Sequence, residues 1–254
     1  MKNLKPHTKY NIVTYIGLAA AWIVVTVMRS QGMLGRSTTG LLVPICCYVV
    51  MALSLNLTVG ILGELSLGHA GFMGIGAFSG IIASQSLMRV MPSVPLRLVA
   101  AMLTGAVFAG IFGFLIGIPV LRLRGDYLAI VTLAFGEIIK ELITCLLVGV
   151  DEKGLHFIFN YKGLKNVDDL HLSETGQVII KGAQGATGTK AIATFNAGML
   201  LIFVTLIIIL HLIHSRTGRA IMAIRDNRIA AESVGIDITK HKMIAFVMSA
   251  AMAG

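Results

Sequence analysis

Charge is scarce in this chain: of its 254 residues only 13% are charged, and Asp and Glu together number 12. A soluble domain of this size carries roughly a quarter of its residues as charges to keep its surface hydrated, so a single water-exposed globule is excluded. Cysteine is nearly absent as well. Cys46, Cys47 and Cys145 lie inside apolar runs, where a thiol behaves as a small hydrophobe and no disulfide framework is expected. The phosphate-cradling pattern G-x-x-x-x-G-K-[ST] does not occur, and the nearest stretch, 182–190, has Thr187 where that loop needs glycine. Gly74-x-Gly76 follows no strand pattern and is no dinucleotide fingerprint. The seven histidines show no metal-ligand spacing, and there is no nucleophile elbow. The sequence therefore predicts a protein that is not an enzyme and takes no cofactor or metal. Any work it does is powered from another chain.

What the sequence has in quantity is apolar length. Its residues are 56% hydrophobic, with mean hydropathy +0.85, and they lie in long runs rather than in stripes of helical period, which is the signature of a membrane protein. A spanning helix needs about 20 apolar residues. Runs at 11–28, 41–62, 67–87, 98–120, 127–149 and 195–214 qualify, and a seventh begins near Met243. The remaining residues to Gly254 rise only about 18 Å, so six spanning helices plus the start of a seventh are predicted, in an all-α polytopic fold that looks C-terminally incomplete. The first run lacks a small-x-small cleavage site and reads as a span rather than a signal peptide.

The net charge of +9 does not point to nucleic acid, because the basic residues sit at the ends of apolar runs and not among exposed aromatics. Arg216, Arg219, Arg225, Arg228, Lys240 and Lys242 mark 215–242 as cytoplasmic. Alternation then puts 150–194 outside, where its lysines are balanced by Asp151, Glu152, Asp168, Asp169 and Glu174, and puts Arg122, Arg124 and the N-terminus with Lys2, Lys5 and Lys9 inside. The short exterior loops hold Arg29, Arg36, Arg89 and Arg97. Residues 58–70 hold no turn beyond Gly63-Glu64, so a broken or re-entrant element is an alternative there. Gly76-x-x-x-Gly80 and Gly113-x-x-x-Gly117 are pairs that let helix backbones approach closely in lipid.

Ionisable groups inside apolar runs are functional candidates, since each is costly in lipid unless it faces a polar interior. Glu64 and His69 flank the break between the second and third runs, with Asn56 one to two turns earlier; Glu137, Lys140 and Glu141 share one run, with Glu137 and Lys140 spaced to pair at i,i+3. Against a pathway-lining or gating role stands a plainer one: Glu64 as a cap, His69 as a packed core residue, the Glu–Lys pair as helix support. The segment 216–242 is too polar to span and too regular for a linker. Ile221, Ile224, Ile229 and Val234 can gather on one face, Arg225, Asp226 and Arg228 on the other, with Gly235 ending the helix. Such a helix either lies on anionic lipid or docks a soluble partner.

Within that segment, Ala230-Ala-Glu-Ser-Val-Gly-Ile236 resembles the coupling loop of ATP-binding-cassette (ABC) importer permeases, a short helix followed by glycine. Ser54-Leu-Asn-Leu-Thr-Val-Gly60, Gly63-Glu-Leu-Ser-Leu-Gly-His-Ala-Gly-Phe72, the stretch 121–137 (LRLRGDYLAIVTLAFGE) and Ala223-Ile-Arg-Asp-Asn227 extend the match. Together they resemble the LivM-type permease subunit of branched-chain amino-acid importers over roughly 40–150 and 195–254. Loop 150–194 is longer than the family's usual one, although Gly182-Ala-Gln-Gly-Ala-Thr-Gly188 is similar to its glycine-rich exterior motif, and the family continues for further spans. The resemblance implies a second related permease subunit, two ABC ATPase subunits and an extracytoplasmic substrate-binding protein as partners, in a bacterial plasma membrane. It implies Asn56, Glu64, His69, Thr132 and Glu137 as translocation-pathway or gating residues, and Arg225, Asp226, Asn227, Glu232 and Gly235 as ATPase-coupling residues. Leucine, isoleucine and valine are the expected substrates; a permease for urea or short amides and a secondary transporter are the alternatives.

Overall fold

The computed structural model describes residues 6–88, 91–123, 125–151, 154–160, 170, 176–189 and 191–254. Of the charges invoked above, Lys2, Lys5, Arg89, Arg124, Glu152, Asp168, Asp169 and Glu174 lie outside these. The described helices are α1 (Pro6–Ser30), α2 (Arg36–Asn56), α3 (His69–Ser86), α4 (Val94–Val120), α5 (Asp126–Thr144), α6 (Phe195–His214), α7 (Arg216–Asp226), α8 (Arg228–Ser233) and α9 (Ile238–Ala253). A π-helical turn, Leu57–Leu62, continues α2.

Four of the helical stretches are long and apolar enough to cross a membrane: Asn11–Ser30, Arg36–Leu62, Val94–Val120 and Phe195–His214. The predicted count of six plus the start of a seventh is not reached on length and composition. α3 is helical as expected but dilutes its apolar residues with glycine, serine and His69, α5 carries Asp126, Glu137, Lys140 and Glu141, and α9 has 16 residues. The fold is that of a polytopic helical membrane protein.

The bundle is organised around α9, which lies along α4, α3 and α2. Glycine permits this closeness. A Cβ on Gly113 would sit 2.6 Å from the Cβ of Ala250, one on Gly117 would sit 2.7 Å from Met243 Sδ, and one on Gly105 would sit 2.8 Å from the Gly76 carbonyl oxygen. These contacts also fix direction, because ascending positions on α4 meet descending positions on α9. The two helices are antiparallel, and α3 runs with α9. Phe72, Ala109, Leu128, Phe246 and Ala250 fill the resulting core. A second cluster joins Leu42, Cys46 and Val50 of α2 to Phe195, Met199 and Ile202 of α6, and Leu18 and Trp22 of α1 pack against it. Trp22 Nε1 donates to Asn196 Oδ1 at 3.2 Å.

Two expectations are corrected here. The apolar run 127–149 does not stay helical: α5 ends at Thr144, and β1 (Leu146–Asp151) follows. With β2 (Gly154–Phe159) and β3 (Gln177–Lys181) it forms an antiparallel sheet in the order β2-β1-β3, so the fold is not purely α. The residues Leu146-Leu-Val-Gly-Val suit a pleated, half-buried surface. Val148, Ile179 and Ile180 bury against Phe78, Ile81 and Ile82 of α3, so the sheet seats on the bundle end where α3 and α5 finish. The turn Gly182–Gln184 closes over that end, where a Cβ on Gly182 would lie 2.6 Å from the Thr144 carbonyl oxygen.

Because the side chains of α9 fill the space that a side chain on Gly113 would need, Gly113→Leu must push the helices apart. Overpacking of this kind costs about 2 kcal/mol. A detergent-unfolding titration is expected to show that loss, with Leu103→Ala, on an exposed face of α4, close to unchanged.

Candidate functional site

The break between α2 and α3 is the meeting point of the predicted functional residues. The π turn ends at Gly63, whose φ of 79° is left-handed and therefore suits glycine. Its missing side chain also makes room, since a Cβ there would lie 2.6 Å from Cγ of Arg225. Asn56 folds its side-chain amide over Gly60, into the space a Cβ would occupy. The chain then runs without regular structure through 63–68 to α3.

Three polar ties cross this break. Arg225 Nη1, from α7, donates to the Gly60 carbonyl at 2.9 Å, and the same guanidinium pairs with Asp226 at 3.1 Å. Lys242 of α9 forms an ion pair with Glu64, both side chains largely buried, while Glu64 Oε2 has no partner among the described residues. Ser249 Oγ donates to the Ser54 carbonyl at 2.6 Å, and His69 Nε2 lies 2.6 Å from that same hydroxyl. Since the single hydroxyl proton of Ser249 is used on Ser54, the imidazole is the donor at Nε2 and accepts at Nδ1 from Ser66 Oγ, at 3.1 Å. Both ring nitrogens are satisfied with the ring neutral, and α2, α3 and α9 are joined through one buried relay.

Thr132 belongs to the same joint. Its Oγ1 accepts the Leu67 amide at 3.0 Å and donates to the Ala129 carbonyl at 2.9 Å, tying α5 to the break. Glu137 stands apart: it pairs with Lys140 at 2.8 Å, as the i,i+3 spacing predicts, and both side chains are exposed. An exposed pair of this kind contributes about 0–1 kcal/mol. The two residues rim a groove of about 400 Å³ between α3, α5 and the 182–185 turn, floored by Gly71, Gly74 and Gly136. Among the described residues no group of histidine, cysteine or carboxylate side chains could hold a metal ion.

The segment 216–242 departs from the predicted single amphipathic helix. Asn227 interrupts it with extended backbone, ending α7 and capping α8 through Oδ1, which accepts the Ala230 amide at 3.1 Å. The interruption swings the apolar residues apart. Ile221 and Ile224 are buried inside, whereas Ile229 and Val234 are 80% and 75% exposed, so the four do not share a face. Gly235 does close the helix: at φ 83° its amide reaches the Glu232 carbonyl at 3.0 Å, and the Ile236 amide reaches that of Ala231 at 3.1 Å, a Schellman closure. Glu232 projects nearby and is exposed.

Of the residues picked from sequence, Glu64, His69, Thr132, Arg225 and Asn56 converge; Glu137, Glu232 and Gly235 do not. Lys242, Ser249, Ser66 and Ser54 also belong to the joint, and local sequence pattern does not single them out. Lys242 reads from sequence as one more topological charge, and serines in an apolar run signal nothing until a partner is seen.

Lys242→Met would strand the Glu64 carboxylate in a largely buried place, at a cost of about 3 kcal/mol. The double variant Glu64→Gln/Lys242→Met is expected to recover most of that in detergent unfolding. Asn227→Ala removes a helix cap worth about 1 kcal/mol, so amide exchange across α8 is expected to rise by roughly fivefold with α9 unaffected.

The sequence relationships fit this arrangement. The chain is 31% identical over 256 residues to the high-affinity branched-chain amino acid transport system permease protein LivM of Escherichia coli (strain K12), and 32% identical over 253 residues to that of Salmonella typhimurium. Each alignment covers 97% of this chain and 55% of the relative, so the chain spans about half the length of these curated relatives. A probable branched-chain amino acid transport permease protein LivM of Methanocaldococcus jannaschii is 23% identical over 231 residues, covering 81% of this chain and 61% of the relative. No solved structure matches the chain. The family described as "Branched-chain amino acid transport system / permease component" matches residues 37–254, within which the whole polar joint falls, and the chain belongs to that family, a class of transport permease components and not of enzymes.

Proposed function

We propose that this chain forms part of the translocation pathway of an ABC importer for branched-chain amino acids, with α7 and α8 as the lever that receives motion from an ATPase subunit. The observation that carries this is the combination found in 215–242. Its outer part presents bare apolar side chains, Ile229 and Val234, beside exposed Glu232, as a docking surface requires. Its inner part is clamped to the α2–α3 break by Arg225 on Gly60 and by Lys242 on Glu64. A push on α8 is therefore delivered to the break and not dissipated in a flexible loop.

The predicted roles divide accordingly. Glu232 and Gly235 serve ATPase docking; Arg225, Asp226 and Asn227 transmit, since their polar atoms are engaged within the chain. Glu64, His69 and Thr132 act in gating, because their polar contacts tie elements together at the break, and Asn56 acts with them through the space it fills over Gly60. Glu137, on the groove beside α5, is the residue that meets the solute path. A helix carrying Glu137, Lys140 and Glu141 on exposed positions is poorly suited to face lipid; covering that face with water or with a second related permease subunit removes the conflict.

The topology follows the same logic. In the proposed placement the N-terminus, the break and 215–242 are cytoplasmic and 150–194 is outside. The antiparallel packing of α4 on α9 and the contact of the break with α7 support this, as does the run of arginines in α7. α3 and α5 then cross as well, shielded by their neighbours, and α9 begins a further span. The partners are a related permease subunit, two ATPase subunits and an extracytoplasmic binding protein that brings leucine, isoleucine or valine; the names of the LivM relatives support that substrate class.

In the complete importer, Glu232→Lys and Gly235→Arg are expected to lower leucine uptake at least about tenfold, equivalent to about 1.4 kcal/mol of docking affinity, and to reduce ATPase co-purification. Full co-purification with both variants would remove the docking role of α8. Unchanged uptake in Glu64→Ala would return Glu64 to the plainer role of a cap.

A further inference from the structure

The sheet carries an apolar surface that the gating joint does not use. β2 pairs with β1 in the register Leu146↔Phe159, Val148↔Phe157 and Val150↔Leu155. Directly opposed residues of antiparallel strands point to the same face. Leu155, Phe157 and Phe159 therefore share the face of Leu146, Val148 and Val150, which belong to the cluster packed on Phe78, Ile81 and Ile82 of α3. On β1 that face is covered, with Val148 fully buried, yet on β2 the same face is open: Phe157 is 53% exposed and Phe159 56%. His156 and Ile158, on the opposite face, are less exposed than their neighbours. The exposed side of this strand is thus the side turned toward the helix bundle, the reverse of what a strand facing water shows.

Position decides what the overhang meets. The Asn160 amide donates to the Cys145 carbonyl at 2.7 Å, which pins the end of β2 to the C-terminus of α5. One and two turns below, Leu142 and Ile138 are exposed on α5, part of the apolar surface a membrane permease turns to its surroundings. Leu155, Phe157 and Phe159 continue that surface past the helix end, at the level where hydrocarbon gives way to headgroups and where aromatic side chains concentrate.

We propose that the β2 edge is a bilayer anchor, with Leu155, Phe157 and Phe159 inserted into the interfacial layer of the outer leaflet beside α5. The occupant of this face is phospholipid at the boundary of headgroup and acyl chain, not another protein. The anchor fixes the sheet, and with it the 182–185 turn over the groove, to the membrane plane. The inference rests on the outward placement of 150–194 proposed above.

The test uses the complete importer in liposomes, with Phe157→Trp and Phe159→Trp made separately and the fluorescence of the parent chain subtracted, since Trp22 also emits. Both added indoles are expected to show a blue-shifted emission, quenching by phospholipids brominated near the carbonyl end of the acyl chain, weaker quenching by lipids brominated deeper, and little by aqueous iodide. Quenching by iodide but not by lipid would place the strand in water. Protection from both quenchers would mean that protein covers the face. Either result overturns the anchor, and Leu155→Trp gives an independent reading if one aromatic variant assembles poorly. The topology is checked separately by placing a cysteine at Gln177 and labelling it with a membrane-impermeant thiol reagent in intact cells. A reactive Gln177→Cys with an unquenched β2 sinks only the anchor, whereas an inaccessible one sinks the outward placement and with it the outer-leaflet anchor.

Discussion

The lack of side chains on α4 where it meets α9, at Gly113 and Gly117, is the constraint on which the rest of this structure depends. In lipid there is little hydrophobic force to drive one apolar helix onto another, and close backbone contact supplies dispersion energy in its place. Gly113 and Gly117 let α9 settle against α4, and Gly76 and Gly105 let α3 close on the same seam. The polar contacts that α9 makes at the joint are by-products of that closeness. Ser249 reaches His69 and Ser54, and Lys242 reaches Glu64, only because α9 is held within one side-chain length of the break.

The polar joint is an expensive thing to keep in an apolar bundle. A buried ion pair is at best near neutral against a well-packed apolar alternative, and a buried hydroxyl or imidazole must find partners or destabilise the fold. Outside the ion pair, where Glu64 Oε2 has no partner among the described residues, the costs are met by mutual satisfaction: the Ser249 hydroxyl is both donor and acceptor, the His69 ring is used at both nitrogens, and Thr132 serves an amide and a carbonyl. Stability does not explain such an arrangement. Definition of one geometry does, because each bond has a single partner at a single distance, and a bundle of leucines offers many nearly equivalent packings.

Much of this was legible in the sequence. The apolar runs located the helices, the small-x-x-x-small pairs located the close seam, the i,i+3 spacing located the Glu137–Lys140 pair, and Gly235 marked the end of α8. The failures have physical causes. Residues 146–150 are an apolar run short enough for either a strand or the tail of a helix, and periodicity cannot separate the two; partners from 154–159 and 177–181 decide it. The one-sided helix predicted for 216–242 assumed that Asn227 stays helical, but its side chain competes for the backbone and caps a new helix instead. Lys242 and Ser249 were invisible because a local pattern says nothing about a partner some 180 residues away in the chain.

The π turn at Leu57–Leu62 has a consequence of its own. A π turn holds one residue more than the α-helix it continues, and that residue amounts to about 1.5 Å of rise and 100° of rotation. Such a surplus cannot be released gradually, because the hydrogen bonds of a helix exist in one register or the next. Absorbing it into α-helix would carry Gly63 and Glu64 around the axis by that angle, and lift them by that rise. The segment that α7 grips thus ends in a stored surplus, held in place by the left-handed Gly63 that closes it.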